Sequence, residues 1–297
     1  MSPTVLRRLV VVLVVALAAW GGLVLRNKGR TDAPAGLTLP ALSPDQVDDV
    51  TLGAGPEAVR LHRTGTAWTV NGLPASASTV SAWLSAARDT SAESELIARS
   101  PGPHARLGLD SATARRLTIQ AAGATLLDLY VGTRGPEFEG FYVRPVGEAA
   151  SYVLRGDFAE GLAKAADEWR EKMVAGVAAA EIGGVTVRLG RSSVTLARTA
   201  GRWTLAGAPA DSGKVAKYLG QFAEIRAAGF PGASDSLDFT TAERELVLQA
   251  PDGRTLESLT FDSTESGAFW VRTGEGVVYR LDGAMVDRLT TGIGVVR

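Results

Sequence analysis

Val59–Trp68 reads V-R-L-H-R-T-G-T-A-W, and Val194–Trp203, 135 residues further on, reads V-T-L-A-R-T-A-G-R-W. Each copy sets an apolar residue, a gap, Leu, a gap, Arg and Thr before a small turn and a Trp. Alternating apolar and polar residues have the period of a half-buried strand, and the small residues between them reverse the chain, so each copy reads as a β-hairpin. The offset of 135 also relates Val50-Thr51-Leu52 to Val185-Thr186-Val187, and Pro74-Ala75-Ser76 to Pro209-Ala210-Asp211. Ser76 and Asp211 are read as helix N-caps, because a short oxygen-bearing side chain satisfies an orphan amide of the first turn. Val80, Trp83, Leu84 and Ala87 then fall at i, i+3, i+4 and i+7, as do Val215, Tyr218, Leu219 and Phe222. Each set makes one apolar stripe that must pack on a sheet.

Beyond the helix the offset shrinks. Leu117 matches Leu246 at 129, Val143 matches Val271 at 128, and Tyr152 matches Tyr279 at 127. Deletions in exposed loops produce such drift. Arg115–Gln120, Thr125–Val131, Gly140–Pro145 and Ser151–Arg155 read as strands, followed by a helix over Asp157–Ala166 that runs on toward Met173. Two copies at so long a period are duplicated domains, not a solenoid. The expected fold class is α+β, with a first repeat over 43–174 and a second over 175–297. Each is a mostly antiparallel sheet with one main packed helix.

The N-terminal residues 1–28 read as a transmembrane anchor and 29–42, with Pro34, Gly36 and Pro40, as a tether. Leu9–Leu25 is a run of 17 uncharged residues between Arg7-Arg8 and Arg26, Lys28, Arg30. That length is at the short end for a spanning helix, and snorkelling basic flanks extend its reach. Ala16-Leu17-Ala18 resembles a signal-peptide cleavage site, yet the apolar run continues past it. The expectation is a single-pass protein of the bacterial cytoplasmic membrane, N-terminus inside and soluble body extracytoplasmic.

Composition removes several function classes. With no Cys there is no disulfide, thiol nucleophile or thiolate metal site. A net charge of −1 supplies no basic field for nucleic acid. His62 and His104 are the only two histidines; His62 points away from the Val59/Leu61 face, and His104 stands in a Pro/Gly loop. Neither has a visible base–nucleophile–orienter set around it. Asp45, Asp48 and Asp49, the pair Glu137 and Glu139, and the pair Asp235 and Asp238 read as solvated acids without a cation-loop pattern. Asp167–Lys172 reads as an exposed helix laced with i,i+3 and i,i+4 pairs. No phosphate-binding loop or nucleophile elbow occurs. Catalytic, cofactor-binding and metal residues are therefore all assigned as none. Trp68, Trp203, Trp83 and Tyr218 recur at matched positions and read as core, while Phe138, Phe141, Tyr142, Phe269 and Trp270 lie near loop ends as a candidate recognition patch.

The order of these pieces resembles a bacterial family known as domain of unknown function 4340. The matching pieces are Val59–Trp68, Pro74–Ala87, Leu107–Asp110 (L-G-L-D), Leu129–Gly132 and Phe141–Arg144 (F-Y-V-R). The resemblance implies an anchored envelope protein, and for some members an association with ABC-type export systems of the gliding-motility kind. The resulting expectation is a non-enzymatic accessory or scaffold subunit of a membrane transport complex, its partners the bilayer through Leu9 to Leu25 and ABC-type transporter subunits. The alternative is a ligand- or polysaccharide-binding module with a site between the repeats.

Overall fold

The computed structural model describes residues 36–297 other than 91, 92, 233, 241, 243 and 265. The expected anchor at Leu9–Leu25 lies outside the described residues. No described helix is long and apolar enough to cross a membrane.

The architecture is α+β, with two large antiparallel sheets and a few short helices. The first sheet uses β1 (Asp49–Leu52), β2 (Val59–Thr64), β3 (Ala67–Val70), β4 (Leu73–Ala75), β5 (Ser94–Ala98), β6 (Arg115–Ala121), β7 (Ala124–Arg134), β8 (Phe141–Pro145) and β9 (Ser151–Leu154). Short β10 (Met173–Ala175) follows. The second sheet uses β11 (Gly184–Leu189), β12 (Ser192–Thr199), β13 (Arg202–Leu205) and β14 (Ala208–Pro209). After β15 (Ile225–Arg226), which pairs β10, it is completed by β16 (Arg244–Gln249), β17 (Thr255–Ser263), β18 (Phe269–Thr273) and β19 (Val278–Leu281).

The two sheets have the same strand order. The first runs β4-β3-β2-β1-β6-β7-β8-β9-β5 and the second β14-β13-β12-β11-β16-β17-β18-β19. Register agrees as well: Val50 faces Ile119 and Leu52 faces Leu117, while Val185 faces Leu248 and Val187 faces Leu246. The repeat read from the hairpin therefore extends through both sheets. They part at one edge. In the first sheet β5 runs along β9, from Ser94 opposite Leu154 to Ala98 opposite Ser151. In the second, the free edge of β19 carries, among the described residues, the Gly229–Arg280 bridge and no further strand.

The main helices are α1 (Ala77–Ala86) and, further along, α5 (Ser212–Leu219). Both expected caps are made: the Thr79 amide donates to Ser76 Oγ at 3.4 Å and the Lys214 amide to an Asp211 carboxylate oxygen at 2.8 Å. Val80, Trp83, Leu84 and Ala87 are buried, as are Val215, Tyr218, Leu219 and Phe222. The short helices are α2 (His104–Leu107), α3 (Gly156–Gly161), α4 (Ala166–Trp169) and α6 (Gly283–Leu289).

The helix expected over Asp157–Ala166 and on toward Met173 is thus broken into α3, α4 and β10. At Ala165 the backbone is extended (ψ 164°), and its amide is taken by the Glu168 carboxylate at 2.8 Å, which starts a new turn. Arg170 is extended again, bridged to Ala75 and only 6% exposed. The solvated charge-laced helix expected over Asp167–Lys172 is not formed, because Trp169 and Arg170 are drawn inward. Of its helical ion pairs the structure makes Arg170–Asp167, at 3.4 Å.

The chain divides into two compact units. One holds the described residues up to Val59 together with Ser81–Ala163; the other holds Arg60–Val80 and Lys164–Arg297. The first has Val50, Leu117, Ile119, Leu129, Val143 and Phe158 in its core. The second has Val185, Leu196, Tyr218, Phe222, Leu246, Phe261 and Leu281 in its core.

Candidate functional site

Arg144, Asp110 and His104 lie in the first unit, close to the L-G-L-D turn. Arg144 comes from β8 and is buried at 8% exposure. Its Nη2 donates to the Leu109 carbonyl at 3.0 Å and its Nη1 to the Glu148 carbonyl at 2.9 Å. Its guanidinium lies 4.4 Å from the ring centre of Tyr130, its cross-strand neighbour on β7. Asp110 closes the turn by accepting from the Ala112 amide at 2.9 Å. Gly132 lets β7 approach it: a Cβ there would overlap the Leu107 carbonyl and sit 3.1 Å from the Leu109 side chain. L-G-L-D, the V-G of β7 and F-Y-V-R are thus one clasp, in which charge-assisted donors satisfy carbonyls that the loop cannot pair itself.

His104 belongs to the same neighbourhood. It is 9% exposed, and its Nε2–H donates to the Ala149 carbonyl at 2.8 Å. That bond fixes the tautomer and ties the start of α2 to the loop after β8. The other histidine, His62, stands on the exposed side of β2. Asp48 Oδ2 accepts from the Ala122 amide at 2.6 Å and so pins the β6–β7 turn. Asp238 accepts from the Thr240 amide at 2.9 Å, the second repeat's equivalent of the Asp110 turn. Asp235 accepts from the Gly232 amide at 2.7 Å. Among the described residues no three His, Cys, Asp or Glu side chains converge as a metal site.

Two matched aromatics share a role that their repetition alone did not disclose. Trp83 Nε1–H donates to the Phe158 carbonyl in α3 at 2.9 Å and stacks on Phe158 at 5.0 Å. Tyr218, its counterpart, donates its hydroxyl to the Leu289 carbonyl in α6 at 2.6 Å. Each main helix is locked to the helix that follows the Ser151–Leu154 or Val278–Leu281 strand of its sheet through a buried polar tip. Burial pushes the Tyr218 phenol well above its ordinary range.

The expected aromatic patch at the loop ends does not form as a group. Phe141 and Trp270 are buried, at 6% and 8% exposure, and Trp270, on the face of β18 opposite Val271, lines a cleft of the second unit. Arg134 covers Phe141 and Arg244 covers the half-buried Phe269. Phe138 remains, 82% exposed, and it is the one exposed aromatic among the described residues.

The second unit carries an open cleft of about 540 Å³. Its walls are Phe230 and Trp270, the hydroxyls of Ser234, Ser236, Ser263 and Thr264, and the charged Asp235 and Arg280. It opens where, among the described residues, the second sheet has the Gly229–Arg280 bridge in the place of a ninth strand. Phe230 is held from behind by the Arg170 guanidinium, 3.6 Å from its ring centre. No signal in the sequence marked this cleft, since it follows from a strand that shortened to one bridge.

Neither the curated proteins nor the solved structures yield a match to this chain. The family described as Domain of unknown function (DUF4340) matches residues 68–251, more than half of the chain. The matched span runs from the Trp68 hairpin through the Arg144 clasp to the second repeat's sheet, and on that match the chain belongs to the DUF4340 family.

Proposed function

We propose that this protein is a non-enzymatic, membrane-anchored accessory or scaffold subunit. In this reading Leu9–Leu25 holds the body on the extracytoplasmic face of a bacterial cytoplasmic membrane, beside a transport complex of the ABC type. The observation that supports it most is where the chemically capable side chains go. His104, Arg144, Asp48, Asp110 and Asp238 each bond to the chain's own backbone. A catalytic site needs a base, a nucleophile and an orienting group turned toward a substrate. Here the same residue types brace the turns and loops of each unit, which is what a presenting or bridging subunit requires. The transporter is the partner that the family resemblance implies.

Lysine-reactive cross-linking of the full chain in its native membrane tests this. The expected products are adducts with integral-membrane transport subunits. Recovery of the protein only as a free monomer counts against the proposal, as does turnover of a substrate by the purified chain.

The second-unit cleft favours a second reading, a module that binds a polysaccharide or another small ligand. Hydroxyls and a guanidinium around aromatic walls suit a polyhydroxylated ligand, whose ring faces are apolar and whose edges are polar. Soluble cell-wall glycan fragments titrated against the full chain should then quench Trp fluorescence, and Arg280→Ala should weaken the change. Absence of saturable binding removes this reading.

A further inference from the structure

The connection between β7 and β8, Gly135–Gly140, reads G-P-E-F-E-G and presents Phe138 at its tip. The tip is firmly built. The Gly135 amide donates to the Gly140 carbonyl at 3.1 Å, Phe138 N–H to the Gly135 carbonyl at 3.2 Å, and Glu139 N–H to the Pro136 carbonyl at 3.0 Å. Arg134 Nη1 donates to the Phe138 carbonyl at 3.3 Å and to Glu160 at 3.3 Å, with its guanidinium 4.6 Å from the Phe141 ring. Glu139 faces Arg155 at 4.0 Å. Gly140 (φ +64°) sits where a Cβ would overlap the Leu154 carbonyl, so the loop base lies directly on β9.

This base holds an uncommon conformation. Glu137 and Phe138 are consecutive non-glycine residues at φ +57° and +64°. The left-handed region is disfavoured for an L-residue, and such strain persists only where surrounding contacts impose it. In the second repeat the matching connection, Thr264–Ala268, joins β17 to β18 with no aromatic residue. One repeat thus stores strain to hold a large apolar side chain in water, with its backbone already fixed.

We propose that Phe138 is the anchor of a protein–protein contact and that it enters an apolar pocket with a cationic rim on the partner. This rests on reading the protein as a partner-binding subunit. A single rigid aromatic that inserts into a pocket is the common form of an interface hot spot, and preorganisation removes the ordering cost of binding. Charge selects the pocket. Around the tip stand Glu95, Glu137, Glu139 and Glu160 against Arg134 and Arg155, four acids to two bases. Glu137 and Glu139, both exposed, flank Phe138 in the chain, so Lys or Arg at the pocket's rim would meet them. The same carboxylates oppose insertion into a lipid surface, where anionic headgroups repel them.

A photo-reactive benzoylphenylalanine at position 138 of the full chain, in its native membrane, tests the proposal. Position 126, an exposed leucine on β7, is the control. The expected result is a protein adduct at 138 but not at 126, mapping to a partner segment that carries Lys or Arg, and weakened by Glu137→Lys with Glu139→Lys. Phe138→Ala should lower yield of the same partner in lysine-reactive cross-linking by about thirty-fold, the scale of a hot-spot truncation. Its thermal unfolding should not change, because the ring touches solvent. A 138 adduct no stronger than that at 126, one to lipid alone, or one to a second copy of this chain overturns the proposal. If lysine-reactive cross-linking still yields transport subunits while position 138 yields none, the docking residue is wrong and the scaffold reading stands. If both fail, both readings fall.

Discussion

Replacing Arg144 by Met tests whether the family motifs form a load-carrying clasp. Met has a similar length and leaves little cavity, so the change isolates the guanidinium. Two hydrogen bonds from a charged donor are lost, to the Leu109 and Glu148 carbonyls. Each is worth about 1.5–3 kcal/mol. The contact with Tyr130 adds about 1–2 kcal/mol in a partly desolvated place. Against this, Arg144 Nε is buried without a hydrogen-bond partner among the described residues. Removing that orphaned group returns about 1–3 kcal/mol. The net expected loss is about 4 kcal/mol. Divided by an m-value of about 2 kcal/mol/M, that moves the first unit's urea midpoint down by about 2 M.

The duplication supplies the control. Arg272 is the matched residue on β18 and lies 4.7 Å from the Phe239 ring, but it is exposed and makes no such pair of carbonyl bonds among the described residues. Arg272→Met should cost less than about 1 kcal/mol. Native-state hydrogen exchange on the full chain localises the effect. The Leu109 and Ala114 amides, bonded to His104 and Asp110 carbonyls, should lose protection in Arg144→Met alone. A cost below about 1 kcal/mol, or equal costs for the two variants, would refute the clasp.

Three further outcomes are expected. Gly132→Ala should destabilise by about 1–3 kcal/mol in urea titration, because the new methyl meets backbone that cannot move aside. Gly102→Ala, with open space around it, should change stability by less than about 0.5 kcal/mol. Tyr218→Phe leaves the buried Leu289 carbonyl without its donor and should cost about 1–3 kcal/mol at pH 7. The folded phenol titrates above the unfolded one, so its stabilisation is complete below about pH 10 and is lost as pH rises further. Thermal melts across that range should fall more steeply for the native chain than for Tyr218→Phe, and parallel curves would contradict the burial argument. Glu137→Gly should raise the first unit's urea midpoint by relieving a left-handed residue, a gain of about 0.5–1 kcal/mol. A loss would show that the tip is not strained.

The sequence by itself determined the duplication and, with it, most of the architecture. Period and turn chemistry are local properties. The V-x-L-x-R-T hairpins, the Ser76 and Asp211 caps and the stripes around Trp83 and Tyr218 therefore lay open in the residue order, and the structure contains all of them. What depends on distant partners was not legible. The helix expected to run from Asp157 toward Met173 gave way because Trp169 and Arg170 found buried places, and propensity does not register such competition. Arg144 read as one more strand residue; only folding put it within 3.0 Å of a carbonyl 35 positions away. The aromatic patch dissolved for the same reason, since tertiary contacts decide which rings are buried. Arg60–Val80 sits in the first repeat by sequence yet groups with Lys164–Arg297, where Ser76 N–H meets the Trp169 carbonyl and Glu171 N–H the Pro74 carbonyl. The strained tip at Phe138 and the cleft at the shortened edge of the second sheet are likewise tertiary. Each arises where one repeat departs from the other, and a backbone angle or a missing strand leaves no period in the sequence.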